Sequence, residues 1–314
     1  MLLAFINDGF FNLAYFLQLV TNGLSNGAIY AAMALTVVII YKTTGHLNFA
    51  QGEMATFAAF VVYVLTAEQD LNIWIAIPIV VALSMVAGAG VERFLIRPVE
   101  TRSSLAVVIV TLGLFLLLNA LTAVIWGTLP RTALTPFPGG VEDQINILDG
   151  PPQFSVGYDV IGTWIVLGAV VLAISLLMNR TKLGLGYRAV ASNRESAELV
   201  GVPVSRMLML GWALSTGIGS IGGVLVSQSS GTLDFNLMGS VLIYGFAAAA
   251  LGGFDSIRGA IVGGLIVGLA EALVPNFFTF VGSELSLAMA FAIIVAVLVA
   301  RPQGLFGTRR VLRV

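Results

Sequence analysis

The sequence predicts an all-α integral membrane protein, a polytopic bundle of eight or nine transmembrane helices with an inverted repeat and broken or re-entrant segments. Three observations lead there. Hydrophobic residues make up 58% of the 314 residues and charged residues only 10%, with a mean hydropathy of +0.99. Soluble domains carry about 25% charged residues, and a water-soluble fold of this size could not hide so much apolar surface. The apolar residues also fall in continuous runs, and about 20 such residues in a helix cross the hydrocarbon core. Finally, lysine and arginine concentrate in the intervals between the runs, on one side of the threading.

The runs occupy 13–41, 46–66, 72–96, 104–126, 160–178, 207–227, 238–253, 258–275 and 284–300. Two are weaker: 46–66 starts with polar residues, and 238–253 is short, so one of the spans is expected to be broken or re-entrant. Strands are not expected, because the runs are continuous rather than alternating, and this disfavours a barrel. Arg93, Arg97 and Arg102 mark one loop, and Arg180, Lys182, Arg188, Arg194 and Arg206 a second. Arg301, Arg309, Arg310 and Arg313 mark the C-terminus, and Lys42 and Arg258 two short turns. Nine spans put all of these on the cytoplasmic face, with the N-terminus outside and the C-terminus inside. Arg131 alone falls opposite, in the loop 127–159. That loop also carries Glu142, Asp143, Asp149 and Asp159 among prolines and glycines, and reads as an ordered external cap. No Lys or Arg precedes Lys42, so a signal peptide with a basic n-region is not expected. The chain 1–314 is taken as one transmembrane domain.

Several function classes are excluded. There is no cysteine, hence no disulfide framework or thiolate metal site, and the single histidine, His46, rules out a multi-histidine ligand set. A net charge of −1 argues against nucleic acid as a partner. No G-x-x-x-x-G-K-[ST], H-E-x-x-H or G-x-S-x-G pattern occurs, so no catalytic residue, metal or cofactor is assigned to this chain.

What remains points to transport. Thr44-Gly45-His46-Leu47-Asn48-Phe49 is similar to Ser230-Gly231-Thr232-Leu233-Asp234-Phe235, and each copy follows a long apolar span and precedes another. Five spans separate the copies, so they have opposite orientation, and inverted repeats with broken helices characterise many transporters. Asn48, Gln51 and Glu53 near the first copy, with Asp234 and Asn236 near the second, are candidate pathway residues. Polar groups in lipid need a partner or a cavity, and tying a broken helix to its neighbours is the alternative role. Glu271, in the span 258–275, reads as a packing or interfacial residue. Glycines at 217, 219, 222 and 223, and at 259, 263, 264 and 268, predict close helix association. The segment 179–206 is basic and amphipathic. Asn193 can cap a short helix from Arg194 to Val200, stopped by Gly201 and Pro203. A helix that short cannot span a membrane, but it can dock on a partner or lie on anionic headgroups.

Four stretches carry a family resemblance. Asn22 to Ala31 (NGLSNGAIYA) looks like the opening helix of the LivH-type permease subunits of branched-chain amino acid ABC importers. Asn48-Phe49-Ala50-Gln51-Gly52-Glu53 is similar to that family's N-F-A-[HQ]-G-E motif. Leu251 to Ala260 is similar to its G-G-x-x-S-x-x-G-A stretch, and Arg301 to Gly307 to its R-P-x-G-L-[FL]-G. Glu195, Ser196, Ala197, Glu198 and Gly201 resemble the E-A-A-x-x-x-G coupling pattern, with Ser196 in place of one alanine. The resemblance implies a permease in a prokaryotic plasma membrane. It implies ATP and Mg bound on partner ATPase subunits, a second permease in a heterodimer, and an extracytoplasmic solute-binding protein. The loop 127–159 becomes a docking surface for the binding protein, and 179–206 the cytoplasmic coupling loop. Branched-chain or related small amino acids are the implied solutes, with urea or short amides as the alternative within the family. A different class of reading is a stand-alone secondary transporter or channel using Glu53 and Glu271 as ion sites.

Overall fold

The computed structural model describes residues 12–100, 103–140, 142–148, 153–277, 286–301 and 303–307. Arg102, Asp149, Arg309, Arg310 and Arg313 of the charge pattern lie outside the described residues. The helices are α1 (Leu13–Thr44), α2 (Gln51–Tyr63, continued by a wider turn at Val64–Glu68) and α3 (Ile73–Val91, continued by another at Glu92–Ile96). They are followed by α4 (Arg97–Glu100), α5 (Ser104–Trp126), α6 (Tyr158–Arg180), α7 (Lys182–Ser192) and α8 (Arg194–Leu199). The last four are α9 (Val204–Ser230), α10 (Gly239–Gly252), α11 (Ile257–Phe277) and α12 (Ser286–Ala300). Among the described residues, six helical stretches are long and apolar enough to cross a membrane: Leu13–Thr44, Ile73–Glu100, Ser104–Trp126, Tyr158–Arg180, Val204–Ser230 and Ile257–Phe277. The shorter apolar helices α2, α10 and α12 fill the remaining places that the sequence reserves for spans.

The structure departs from the sequence expectation in having strands. β1 (Arg131–Thr132), β2 (Gln144–Leu148), β3 (Phe154–Gly157) and β4 (Thr232–Leu233) form two antiparallel pairs, β1 with β4 and β2 with β3. All lie in connections, where backbone N–H and C=O groups that no helix satisfies pair with one another.

The chain divides into two compact units. One takes in the chain as far as Ala34, Phe137–Leu167, and the chain from Ile243 onward; the other is Leu35–Pro136 with Gly168–Leu242. In the first unit, α1 lies against α11 through small residues. A Cβ on Gly264 would run into the backbone of Ala31, and one on Gly268 into that of Gly27. Such close approach gives dispersion between backbones, which drives helix association where no water is being released. Glu271 sits in this packing. Its Oε2 accepts from the Tyr30 hydroxyl at 2.6 Å and from Asn26 Nδ2 at 3.3 Å. The β2–β3 hairpin is seated by a cluster of Ala14, Phe154 and Val156. Two of the motif stretches also meet here: Leu305 N donates to Leu251 O at 2.8 Å and Phe306 N to Gly252 O at 3.0 Å.

In the second unit α9 packs on α2 and α3. A Cβ on Gly223 would meet the Ala55 carbonyl, and one on Gly217 the Met85 side chain. Thr216 donates its hydroxyl hydrogen to Ser84 O at 2.7 Å, and Trp212 is buried with Ile40, Ile96 and Val107.

The internal repeat is written in the backbone as well as in the residues. α1 ends at Thr44 and Gly45 follows with φ +73°; α9 ends at Ser230 and Gly231 follows with φ +73°. Only glycine takes this left-handed conformation without strain, and it closes a helix C-terminus. Next, Asn48 Oδ1 accepts from Ala50 N at 3.0 Å, and Asp234 Oδ1 accepts from Asn236 N at 2.8 Å. Each copy is thus a long helix, a left-handed glycine, an Asx turn and a shorter apolar helix.

Candidate functional site

Both breaks lie in the second unit, and a chain of buried polar groups starts from the first. Asn48 and Gln51 are almost fully buried. The Asn48 amide Nδ2 donates to Gln51 Oε1 at 3.2 Å. Gln51 Nε2 donates to the Ser215 carbonyl at 3.0 Å, and Gln51 Oε1 accepts from the Ser215 hydroxyl at 3.0 Å. Ser215 lies within hydrogen-bond distance of Thr36 O as well, at 3.0 Å. These bonds join the start of α2 to α1 and α9.

Glu53 is different. It is 2% exposed, and its Oε2 accepts from Asn119 Nδ2 of α5 at 3.3 Å. The same Asn119 nitrogen also lies 3.1 Å from Asn236 Oδ1 and 3.4 Å from Phe235 O. One amide on α5 therefore joins the carboxylate of the first repeat to the break of the second. Asn119 is half-buried and Asn236 exposed. Asn119 sits well inside the apolar run of α5, and polar atoms left open in hydrocarbon are costly. An aqueous path or a partner surface in front of them removes that cost. Asp234 is brought to the same break, but its side chain serves its own turn.

Next to this cluster in sequence, Met54 of α2 and Leu118 of α5 line a cavity of about 240 Å³. Phe57, Leu83, Leu114 and several valines and alanines add to its apolar wall, with Ser84 and Thr216 as hydroxyl-bearing neighbours. Phe57 leans edge-on against Trp126 with ring centroids 5.1 Å apart. A largely apolar cavity with two hydroxyls on its wall suits an apolar group.

The residues that resemble the coupling pattern form a separate place. Asn193 Oδ1 accepts from Ser196 N at 2.9 Å and starts α8 as expected. Gly201, at φ +84°, follows its end. Ala197 is buried, while Glu195, Ser196, Glu198 and Gly201 are exposed. Two large apolar side chains finish the helix in the open, Leu199 at 88% and Val200 at 78% exposure. The flanking helix α7 is held from inside: the buried Tyr187 hydroxyl donates to Ile39 O of α1. Burial pushes its phenol well above the usual range, so it remains a donor.

Of the loop 127–159, the part nearest α5 is tied down. Arg131 Nη2 donates to Trp126 O at 2.8 Å, capping α5, and pairs with Glu68 at 3.8 Å. Its guanidinium also lies over the Tyr63 ring, 5.3 Å from the centroid. The β1–β4 pair and the bond from Leu134 N to Ser227 Oγ, 3.1 Å, fasten this segment to the end of α9.

Sequence reasoning missed Asn119 and Ser215. Asn119 was within reach, because a polar residue in an apolar run is the signal that singled out Glu53. Ser215 lies among serines, threonines and glycines of α9 and carries no such contrast.

A family model described as "Branched-chain amino acid transport system / permease component" matches residues 19–298. The High-affinity branched-chain amino acid transport system permease protein LivH of Salmonella typhimurium is 27% identical over 310 residues, covering 96% of this chain and 98% of that one. The permease protein BraD of Pseudomonas aeruginosa, of the same description, is 27% identical over 311 residues, with coverage of 96% and 98%. The Xylose/arabinose import permease protein XylH of Sulfolobus acidocaldarius is 27% identical over 211 residues, covering 66% of this chain and 54% of that one.

Proposed function

Since the chain belongs to the family of branched-chain amino acid transport system permease components, we propose that it is the membrane subunit of an ATP-driven importer for branched-chain or closely related small amino acids. It is a multi-pass protein of the prokaryotic plasma membrane and a transport component. In this reading ATP and Mg bind on two partner ATPase subunits, a second permease completes the membrane part, and an extracytoplasmic binding protein delivers the solute.

The observation that carries the reading is α8. A capped helix of six residues ends in two exposed apolar side chains, on a chain that has no phosphate-binding loop of its own. Exposed apolar groups rimmed by polar ones favour a protein partner, and the docked helix passes the partner's movement to the bundle. The broken segments at Gly45 and Gly231 then alternate access, with Glu53, Asn119 and Asn236 facing the solute's polar end. The cavity lined by Met54, Phe57 and Leu118 suits its apolar side chain. The relatives named for branched-chain amino acids, aligned over almost their whole length, support that class of solute.

The test is co-purification in mild detergent with the partner subunits, comparing the wild-type chain with a Leu199→Asp, Val200→Asp double variant. The wild-type chain is expected to bring down a P-loop ATPase and the variant to lose it. Equal recovery from both would count against docking at α8.

A further inference from the structure

The end of α1 is gripped from the cytoplasmic loop by a side chain that the proposed function does not use. Arg194 is the first residue of α8. Its Nε donates to the Thr43 carbonyl of α1 at 2.8 Å, and its Nη2 donates to the same oxygen. Nη2 also donates to Glu100 Oε1 of α4 at 2.7 Å, forming an ion pair with a carboxylate whose side chain is only 10% exposed. Thr43 O is one of the carbonyls that a helix leaves unpaired at its C-terminus, and a cation there also complements the helix dipole. One turn earlier the Tyr187 hydroxyl holds Ile39 O. α7 and α8 therefore grasp the last turn of α1 at two points.

Two residues after Thr43 stands Gly45, where the chain turns left-handed. Then come Asn48, bonded to Gln51, and Gln51, bonded to Ser215, and then Glu53, bonded to Asn119. A displacement of α8 has a continuous bonded route to the polar cluster: Arg194 to the end of α1, then through the break. Glu100 holds the guanidinium plane from the other side. Arg97 nearby pairs with Glu92 at 2.6 Å and fixes that end of α4.

We propose that Arg194 is the positioning residue that transmits movement of α8 to the break at Gly45, and so couples the partner ATPase to the solute path. This rests on the proposed function, because it requires an ATPase docked on α8. A guanidinium suits this position because its planar fork serves a carbonyl and a carboxylate at once, which an ammonium on a flexible stem does not.

The experiment uses the complete importer, reconstituted in liposomes with its ATPase and binding protein. ATP hydrolysed and solute imported are measured together for the wild type, Arg194→Gln, Arg194→Lys and Glu100→Gln. With Arg194→Gln, the ATPase is expected to co-purify and the ATP used per solute to rise about tenfold, within the range of ordinary coupling free energies. Arg194→Lys should recover only part of the loss. Glu100→Gln keeps the shape of the side chain and should shift the same ratio in the same direction. It supplies the answer if Arg194→Gln does not assemble. A residue that served folding alone would lower the amount of complex and leave the ratio per complex unchanged. An unchanged ratio in Arg194→Gln, or in Glu100→Gln where the former fails to assemble, overturns the proposal while leaving the importer reading intact. A wild-type chain that recruits no ATPase overturns the importer reading first.

Discussion

Glu53 lies under Asn119, and that pairing decides what each can do. A carboxylate in a membrane interior needs a donor, and the α5 amide at 3.3 Å is its donor among the described residues. Replacing Asn119 with Leu removes the donor and the link to Asn236 while keeping the volume. The loss of a hydrogen bond to a charged group is worth about 1.5–3 kcal/mol, so solute uptake should fall about tenfold or more with the chain still inserted. Uptake rates normalised to the amount of chain in the membrane measure this, and rates equal to wild type would remove Asn119 from the path. Glu271 makes a contrast. It is bonded to Tyr30 and Asn26 within the α1–α11 contact, so it is part of the packing, as its place in the sequence suggests. The sequence could nominate Asn48, Gln51 and Glu53 through polarity against an apolar background. It could not divide them, because whether an amide ties a helix or faces a path depends on which neighbour reaches it. Gln51 spends its amide on Ser215, 164 positions away.

At the scale of elements, the two breaks behave alike because they are built alike. Gly45 and Gly231 both stand at φ +73°, with no atom near an added Cβ, so alanine there would be strained by conformation alone. Each Gly→Ala change should cost about 1–2 kcal/mol, the penalty of an L-residue in the left-handed region. Thermal unfolding in detergent reads this, and no change in stability would show that the breaks relax to another geometry. The α1–α11 contact fails in another way. Gly268→Leu must push its side chain into the backbone of Gly27, and such overpacking costs about 1–3 kcal/mol. The yield of folded chain should drop, whereas the same change at Gly113, which has open space around it, should leave it unchanged. These elements were legible early. Apolar run length located the membrane helices, glycine clusters marked the close contacts, and Asn193 with Gly201 bounded α8. The short strands were not legible, since β1 and β4 have two residues each and carry no period. The pairing of the stretch around Leu251 with that around Leu305 was hidden too. Both stand out as motifs, but backbone bonds between segments so distant in the chain leave no pattern in either.

For the whole molecule, the apolar surface is explained by lipid. α3, α5 and α6 bury only about a fifth of their apolar stretch, whereas α1 and α9 are largely enclosed. That distribution would be an aggregation hazard in water and is ordinary in a bilayer. The chain has no nucleotide-binding pattern, so in the proposed reading energy reaches it through partners. The most direct measurement of that central claim is uptake of labelled leucine into liposomes holding this chain with every subunit that co-purifies with it, driven either by ATP or by an ion gradient. The account predicts uptake that requires ATP on the side of α8, requires the co-purified ATPase, and is indifferent to the gradient. Uptake by this chain alone, driven by an ion gradient and abolished by Glu53→Gln, would contradict it.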